Sequence, residues 1–290
     1  MPRAFFAICI MKKTLFVAVA AFFGCLAFAG TPEKMDADAF AAADWHWQPL
    51  GRGAEAGYAQ LTLFGAVQHI SVIKYKAKRF RTDIIDAPAA MSDSTEALAR
   101  AHGAIAAING SYFNMKTLVP TTYVKDAGRQ CGWTTPRELY RVDGMMAVRH
   151  RKIEISLSDT TDYNSLARGR KEAMAAGPVL LIAGQEARSE WPLDKFYTKR
   201  HPRTLIGTTD DGWVYLIVID GRFKGQGTGA TIHETAMIAQ LFGLKDVLNL
   251  DGGGSSTLWT KATGVLSHPY DNRRFDHYGQ RAVPNIILIK

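Results

Sequence analysis

Short apolar runs separated by turn residues dominate the chain from Trp45 onward. Two of them, residues 70–75 and 152–157, alternate apolar and polar positions, a pattern typical of half-buried strands. Four others are continuously apolar and predict buried strands: residues 179–182, 213–219, 247–250 and 286–289. Pro284 stands just before the last run and indicates a strand that begins late or lies at a sheet edge, because proline has no N–H to donate.

Helical patterns are fewer than strand patterns. Thr231 and Glu234 have the spacing of a capping box, which predicts the start of a helix. One face of this helix is apolar and consists of Ile232, Ala236, Ala239 and Phe242. An earlier helix is predicted to begin with Asp93 as its cap and to end at Gly103, and a weaker helical pattern covers residues 165–175.

The predicted strands come in clusters separated by helices rather than in strict alternation with them. This order favours an α+β fold, with a mixed and mainly antiparallel sheet packed against a few helices, over a doubly wound parallel sheet. No repeat or linker divides residues 45–290, so they are predicted to form a single domain. Residues 115–139 lack periodicity and are interpreted as a long loop or insertion, and residues 30–44 as a flexible leader into the fold.

The first residues have the pattern of a secretory signal peptide. A basic start precedes an almost continuously apolar run at residues 14–26, and Ala27-Phe28-Ala29 places small residues where a signal peptidase cleaves. We therefore predict a signal peptide over residues 1–29, with Met11 as the natural start, and an exported protein that is periplasmic or secreted. The run is too short for a stable membrane span. Acylation of Cys25, as in a lipoprotein, is the weaker alternative.

Charge and cysteine content narrow the function classes. The formal net charge is +8, and cleavage of the leader removes three basic residues and no acidic one. The remaining excess is scattered rather than gathered in a basic tract with aromatic residues, so no nucleic-acid partner is predicted. A mildly basic surface suits an anionic substrate. Cys131 is the one cysteine left after cleavage, which leaves no internal disulfide, and it is interpreted as a lone loop cysteine.

The sharpest local feature is Asp251-Gly252-Gly253-Gly254-Ser255, directly after a predicted buried strand. Three glycines permit backbone angles that other residues avoid and expose consecutive N–H groups, which suits the close approach of an oxyanion. An aspartate at a strand end is well placed to project into a cleft. The simpler alternative is a tight turn with aspartate as the turn former. A turn does not need three glycines, so we favour a functional site centred on Asp251.

A second group of candidates lies around the predicted strand at residues 213–219. Arg203 begins the apolar run before it, and Asp220-Gly221-Arg222 follows it. A guanidinium binds phosphate oxygens in bidentate fashion, so either arginine suits an anionic group, although an isolated surface arginine is usually only solvated. The glycine-rich residues 225–231 precede a helix and form a generic anion cradle. They lack the glycine spacing and the lysine of nucleotide-binding loops.

Other polar residues carry weaker signals. Residues 109–113 end an apolar run with an amide and two aromatic rings, which suits a sugar subsite, but the local sequence favours an ordinary strand-to-turn transition. Glu234 is as well explained by helix capping as by catalysis. The eight histidines show no tight metal-ligand spacing, so no metal and no cofactor are predicted, and a site assembled from distant residues stays open. The absence of a Gly-x-Ser-x-Gly motif argues against a serine hydrolase.

Taken in order, these segments resemble the phosphodiester glycosidase family. The resemblance covers roughly residues 104–290 and is most specific in Asn-Leu-Asp-Gly-Gly-Gly-Ser at residues 249–255. Further matches are Asn-Gly-x-x-Phe at residues 109–113, Gly177-Pro178, Arg203-Thr204, Asp220-Gly221, Glu234 in its helix and Arg-x-Val at residues 281–283. Residues 115–139 and those before residue 104 match no part of the family pattern.

The resemblance implies hydrolysis of the bond between the anomeric carbon of a sugar and a phosphodiester oxygen. Ordinary glycosidases use two carboxylates, but a phosphate monoester is already a good leaving group, so charge stabilisation gains importance. The resemblance implies three catalytic carboxylates: Asp251, Glu234 and Asp220. It implies substrate binding by Asn109, Arg203, Gly252, Gly253, Gly254, Ser255 and Arg281. We expect Asp251 and Glu234 to lie close together in one cleft, with Arg203 facing them.

The expected partner is a sugar phosphodiester or other glycan, in envelope or exopolysaccharide metabolism, and the oligomeric state is not predicted. Two alternatives stay open. A metal-dependent phosphodiesterase would break the phosphorus–oxygen bond and release a sugar phosphate, and the missing metal cluster counts against it. A non-catalytic envelope protein would bind polysaccharide without turnover, since membership of a family does not by itself establish activity.

Overall fold

A computed structural model describes residues 31–290 of the protein. The predicted signal peptide, with Met11 and Cys25, lies outside the described residues. None of the helices within residues 31–290 is long and apolar enough to cross a membrane.

Helices are few and short within the described range. The α-helices are α1 (Pro32–Ala41), α2 (Thr95–Ala101), α3 (Tyr163–Leu166), α4 (Lys195–Thr198) and α5 (Ile232–Leu241). Turns of 3₁₀-helix cover Ala77–Arg79, Ala89–Met91, Pro136–Glu138 and Gly253–Ser255. The strands are β1 (His46–Gly51), β2 (Ala54–Leu63), β3 (Ala66–Lys76), β4 (Thr82–Asp86), β5 (Ala106–Asn109), β6 (Phe113–Asn114), β7 (Val119–Pro120), β8 (Val124–Asp126), β9 (Arg129–Gly132), β10 (Gly144–Arg149), β11 (Lys152–Leu157), β12 (Ala173–Ala176), β13 (Val179–Ile182), β14 (Gln185–Glu186), β15 (Arg203–Thr208), β16 (Trp213–Ile219), β17 (Asp246–Asn249), β18 (Leu258–Thr260), β19 (Gly264–Val265) and β20 (Asn285–Ile289).

The strands form one large sheet, two smaller sheets and a two-stranded ribbon. The large sheet has the order β1-β2-β3-β16-β15-β17-β13-β14. The smaller sheets have the orders β11-β10-β12-β8-β9 and β19-β18-β5-β20-β4, and β6 pairs with β7. Neighbouring strands run antiparallel throughout the described residues. The predicted α+β class with mainly antiparallel pairing is confirmed.

The alternation of side chains along β16 shows how the large sheet is covered on both faces. Leu216 and Val218 join a core shared with the two smaller sheets. Ile217 and Ile219 lie on the opposite face and pack with Ile232 and other apolar residues of α5. Successive side chains of a strand point to opposite faces, so a continuously apolar strand is expected where both faces are buried. Each such fully buried side chain contributes about 1.5–3 kcal/mol relative to exposure.

The helix predictions had mixed outcomes. The capping box of Thr231 and Glu234 is present at the start of α5, as predicted. The cap of α2 is Ser94 rather than Asp93, because the Ser94 hydroxyl accepts the hydrogen bond from the N–H of Ala97. The prediction of a helix over residues 165–175 is wrong. In that region α3 is a single turn, and β12 pairs between β10 and β8, where the pairing of a fully buried segment overrides the helix preference of alanine.

Three other segments differ in detail from the sequence interpretation. Residues 30–44, interpreted as a flexible leader, contain α1, with Phe40 packed against the core. Residues 115–139, interpreted as a loop or insertion, contain three short strands, of which β8 and β9 extend one of the smaller sheets. The strand after Pro284 begins late, as predicted, and it lies between β5 and β4 rather than at an edge.

Strand ends that carry the predicted site residues meet at one edge of the large sheet. Arg203 at the start of β15 is paired with Ile219 at the end of β16. Leu205 is paired with Asn249 at the end of β17. Antiparallel pairing places the start of one strand beside the end of its neighbour. The segments after β16 and β17 therefore leave the sheet beside Arg203.

Candidate active site

A cleft of about 280 Å³ lies at this edge of the large sheet. Asp251 is the carboxylate in its lining, and four guanidinium groups share the lining with it: those of Arg141, Arg203, Arg222 and Arg281. Tyr112 and Phe196 add aromatic surface, and the three glycines that follow Asp251 add main chain. A positive cleft with one acid and flat apolar surfaces suits a sugar that carries a phosphate group.

The turn that carries Asp251 is held by three hydrogen bonds, two to main-chain carbonyls and one from a side-chain amide. The N–H of Asp251 donates to the carbonyl of Gly110 over 3.0 Å, and the N–H of Gly253 donates to the carbonyl of Pro202 over 2.9 Å. The side-chain amide of Asn109 donates to the Asp251 carbonyl over 2.7 Å. Asn109 also accepts hydrogen bonds from the Thr204 hydroxyl and the Thr257 N–H. The acid is therefore fixed relative to the sheet.

Close approach explains the glycines of this turn. A Cβ atom on Gly252 would lie 2.6 Å from the Pro202 carbonyl oxygen, and one on Gly254 would overlap the Arg281 guanidinium. Gly253 has a φ of +64°, in the left-handed region that favours glycine. Each of the three positions thus excludes or strains a larger residue, so packing of this turn against Pro202 and the arginines accounts for the glycines.

Asp251 is half-buried at the cleft, and its surroundings shift its pKa. Removal from water raises the pKa of this carboxyl, and the nearby Ser255 hydroxyl and the guanidinium groups of Arg141 and Arg281 oppose that rise without cancelling it. A carboxyl with a raised pKa keeps its proton to higher pH than an ordinary aspartate. Such a group is suited to donate a proton to a leaving group.

Arg203 is the most deeply buried arginine of the cleft, with 2 % of its surface exposed. Its Nε donates to the Ala230 carbonyl over 2.8 Å, and its Nη2 donates to the carbonyls of Phe196 and Lys199 over 2.8 and 3.1 Å. Burial lowers its pKa to about 10, so the group stays charged at neutral pH. Three of its five N–H groups are thus committed to the main chain, and it serves the cleft chiefly as a fixed positive charge.

Two other arginines of the cleft are paired with carboxylates. Arg281 forms a bidentate pair with Asp271, with distances of 2.8 Å from Nε and 2.6 Å from Nη2. Arg141 is paired with Glu138 at 2.7 Å, and its guanidinium lies 3.7 Å above the centre of the Tyr112 ring. These pairs orient the two guanidinium groups and offset part of their charge.

Arg222, like Arg203, has no carboxylate within 4.0 Å in the described part of the chain. It differs from Arg203 because, within those residues, its guanidinium donates to no main-chain carbonyl. Its φ of 70° is unusual for a residue with a side chain. Its guanidinium lies over Gly253 and 3.5 Å from Nδ1 of His201. Sequence reasoning set Arg222 aside as an isolated arginine. The sequence signal that could have identified Arg222 was its position just after the end of a predicted strand.

His201 also lines the cleft and was not among the predicted site residues. Burial and the positive charges of Arg203 and Arg222 lower its pKa to about 4. The imidazole is therefore neutral at physiological pH and has one ring nitrogen able to accept a proton. An acid with a raised pKa and a base with a lowered pKa in one cleft are a common arrangement for acid–base catalysis.

The model of the phosphodiester glycosidase family matches residues 102–290. The chain belongs to this family. No curated protein matches the chain in sequence.

Two solved structures have a fold similar to that of this chain. A hypothetical protein from Synechocystis is similar with a TM-score of 0.67 at 14 % identity, over 86 % of this chain and 64 % of that one. The zebrafish N-acetylglucosamine-1-phosphodiester alpha-N-acetylglucosaminidase catalytic domain, auto-inhibited by its pro-peptide, is similar with a TM-score of 0.64 at 15 % identity, over 85 % and 87 %. At 14 and 15 % sequence identity, these similarities show a shared fold and nothing more.

The fold of this chain brings together only part of the predicted site. Asp251, Arg203, Arg281 and the three glycines line the cleft. Ser255 and Asn109 are buried behind it, where Asn109 supports the turn.

Glu234 and Asp220 are not among the residues that line this cleft. Glu234 accepts a hydrogen bond from the N–H of Thr231 over 2.9 Å and is paired with Arg200, whose Nε lies 3.0 Å from both of its oxygens. Asp220 is buried between His69 and His268. Burial opposes ionisation of Asp220, but these two imidazoles outweigh it and lower the pKa of the carboxyl.

Replacement of Glu234 by alanine is therefore expected to affect stability more than catalysis. Loss of the capping box and of the half-buried pair with Arg200 should lower the free energy of unfolding by about 1–3 kcal/mol, with kcat within a few-fold of wild type. Urea unfolding and steady-state kinetics measure the two effects. Glu96→Ala is the matched control, because Glu96 lies in the first turn of α2 with the more exposed partner Arg100. A hundred-fold loss of kcat in a folded Glu234→Ala protein would show that Glu234 takes part in catalysis.

Proposed function

We propose that the protein is a hydrolase that cleaves the sugar–phosphate linkage of a sugar-1-phosphodiester. The observation that carries the proposal is one carboxyl with a raised pKa, Asp251, in a cleft with four guanidinium groups. The family to which the chain belongs supports the reaction class. The zebrafish enzyme of similar fold acts, by its name, on N-acetylglucosamine-1-phosphodiesters. We further propose that the protein is exported by its leader and acts on an envelope glycan or exopolysaccharide.

In this proposal the guanidinium groups bind the anionic phosphodiester. Arg222 has no carboxylate partner within the described residues, so it is the group with most capacity to pair with the phosphate oxygens. Arg203 contributes a fixed charge, and Arg281 and Arg141 contribute their remaining donors. Tyr112 and Phe196 offer flat surface for the sugar ring. Binding thus orients the bridging oxygen of the substrate toward Asp251.

The chemical step needs one proton donor and one water molecule. As the bond between the anomeric carbon and the bridging oxygen breaks, Asp251 gives its proton to that oxygen, and the phosphomonoester leaves. Water adds to the anomeric carbon and gives its proton to the neutral imidazole of His201. The products are the free sugar and the phosphomonoester, and solvent then returns the proton from His201 to Asp251. The guanidinium groups stabilise the negative charge on the phosphate throughout.

A panel of sugar-1-phosphodiesters, with the products identified by mass spectrometry, tests the proposed reaction. Release of a free sugar together with a phosphomonoester is expected. Release of a sugar phosphate would mean cleavage of the phosphorus–oxygen bond, as in a phosphodiesterase. Tight binding of polysaccharide without turnover of any panel member would instead identify a glycan-binding protein. Either of these two results would overturn the proposed function.

The pH profile of kcat/KM tests the assignment of the acid and the base. Activity should fall as the pH rises through the raised pKa of Asp251, because the acid must be protonated. Activity should also fall as the pH drops through the pKa of His201, about 4, because the base must be neutral. His201→Gln should remove the acidic limb and leave the basic limb in place. An increase of activity as Asp251 loses its proton would show that it acts as a base or nucleophile instead.

A further inference from the structure

Three residues far apart in the sequence form a compact cluster of ligand atoms beside the cleft. His69 lies in β3, Asp220 follows β16, and His268 lies in the segment between β19 and β20. The Asp220 Oδ2 atom lies 2.8 Å from Nδ1 of His69 and 2.7 Å from Nδ1 of His268. All three ligand atoms lie within 4.8 Å of one another. The side chains are 8 %, 1 % and 10 % exposed, so the cluster is shielded from solvent.

The main chain fixes the carboxylate of this cluster. The N–H of Asp220 donates to the carbonyl of His69 over 2.9 Å, which continues the pairing of β16 with β3. The N–H of His268 donates to Oδ1 of Asp220 over 2.9 Å. Because Oδ1 is occupied by the main chain, Oδ2 is left facing the two imidazole nitrogens.

Aromatic packing fixes the planes of the two imidazoles. The ring of Phe275 is stacked on His268 with centroids 3.7 Å apart and planes 6° apart. The ring of Tyr58 is stacked on His69 with centroids 5.7 Å apart and planes 21° apart. The two imidazoles are perpendicular to each other, with an interplanar angle of 89°. Both rings therefore present Nδ1 to the same point from different directions.

Hydrogen bonding alone leaves one atom of the cluster unsatisfied. Nδ1 of His268 forms a hydrogen bond with Oδ2 of Asp220. Nδ1 of His69 is equally close to that oxygen, but its direction does not suit a hydrogen bond, and it has no other partner within the described residues. A buried nitrogen whose nearest contact is poorly aligned is less stabilised than one with a well-directed hydrogen bond. A metal ion at the point where the three atoms converge would give this nitrogen a well-directed partner.

We propose that His69, Asp220 and His268 bind a divalent transition-metal ion, with Zn²⁺ as the best match to two imidazole nitrogens and one carboxylate oxygen. Three protein ligands and one water complete a tetrahedral zinc site. Zinc bonds of about 2.0–2.1 Å separate tetrahedral ligand atoms by about 3.3 Å. Each imidazole nitrogen would therefore lie roughly 0.5 Å farther from Oδ2 of Asp220 than the present 2.8 and 2.7 Å.

Three protein ligands and one water are otherwise the pattern of catalytic zinc sites, but the position of the cluster outside the cleft lining indicates that this ion holds the cleft wall rather than contacts the substrate. None of the three residues is in the lining of the cleft that holds Asp251. Asp220 is two residues from Arg222, and His268 lies in the segment that leads to Arg281. An ion held by all three side chains joins β3 to both segments and thereby fixes two guanidinium groups of the cleft wall. The sequence offered no local signal because the ligands are contributed by three separate segments.

Zinc binding by the full protein tests the proposal directly. After treatment with a chelator and buffer exchange, calorimetric titration with Zn²⁺ is expected to show one ion per chain. His69→Ala and His268→Gln should each weaken binding at least about tenfold, since even loss of outer-shell partners of a metal costs about 10–100-fold. His233→Ala is the matched control, because His233 is exposed and paired with Glu186 away from the cluster.

Two further readouts separate a metal site from a hydrogen-bonded cluster. Co²⁺ in place of Zn²⁺ should give the visible absorption of a four-coordinate site in the wild type and in His233→Ala, and not in either cluster variant. Zn²⁺ should raise the melting temperature of the wild type and of His233→Ala, but not that of His69→Ala or His268→Gln. A cooperative melting transition of the two cluster variants without metal checks that they are folded. Equal zinc affinity in all four proteins, or no binding by a folded wild type, would overturn the proposal.

Discussion

Replacement of Asp251 by asparagine is expected to lower kcat/KM for a sugar-1-phosphodiester by about 10²–10⁴-fold, the usual contribution of a positioned proton donor. The amide keeps the shape of the side chain but has no acidic proton to give to the bridging oxygen. Release of free sugar under steady-state conditions measures the effect. Asp246→Asn is the matched control, because Asp246 begins β17, the strand that leads to Asp251, and bonds to the N–H of Ala183 away from the cleft.

The stability of Asp251→Asn checks that loss of activity is not loss of fold. The pKa of Asp251 is raised in the folded state, so folding favours the protonated carboxyl. Above the unfolded pKa the wild type therefore loses stability as the pH rises through the folded pKa, whereas the amide does not titrate. The variant should melt at or above the wild-type temperature at neutral pH. Near-normal activity in this folded variant would show that Asp251 is not the proton donor.

Replacement of Arg222 by alanine is expected to lower kcat/KM by about 10²–10³-fold, the range found when one charge-stabilising group is removed from an active site. Arg222 has no carboxylate partner in the described residues, so its full charge is available to the phosphate. Arg222→Lys should recover part of the loss, because lysine keeps the charge but not the bidentate geometry. Kinetics with a phosphodiester substrate at two ionic strengths measure the effect, which should shrink at high salt.

Arg273→Ala provides the matched control for Arg222. Both arginines have a positive φ, 59° at Arg273 and 70° at Arg222, and alanine keeps a Cβ atom in the same unusual backbone region at each position. Arg273 is exposed and is not part of the cleft lining. Activity should be unchanged in Arg273→Ala. Equal losses in the two variants would mean that the position of the Arg222 guanidinium in the cleft does not account for the effect of Arg222→Ala.

Periodicity predicted six of the strands and helix α5 because those signals are local. The alternation or continuous burial of β3, β11, β13, β16, β17 and β20 reflects which faces of a strand are covered, and each pattern is complete within a few residues. The capping box of Thr231 and Glu234 is likewise a contact between neighbours in the chain. β12 was mistaken for a helix because four buried, mostly alanine residues contain no periodicity, and pairing with β10 and β8 decides their conformation.

For the candidate site, too, local signals were present in the sequence and the tertiary contacts decided the roles of the residues. The turn at residues 251–255 stood out in the sequence because three consecutive glycines exceed what a tight turn requires, and the structure supplies the close approaches that require them. Glu234 carried a sequence signal that fitted two roles, and its contacts in the structure are those of helix capping and a pair with Arg200. A carboxylate that caps a helix and one that faces a substrate have the same sequence pattern, because only their surroundings differ.

Local signals in the amino-acid sequence were thus enough for the α+β class, six of the strands, the helix that follows Thr231, and the choice of Asp251 with its glycines as the leading candidate site. The folded chain was needed to show which arginines face Asp251, that Arg222 is among them, and that His69, Asp220 and His268 converge. Distance along the chain accounts for this difference. Backbone preferences act over a few residues, whereas charge, burial and metal ligation depend on atoms brought together from strand ends far apart in sequence.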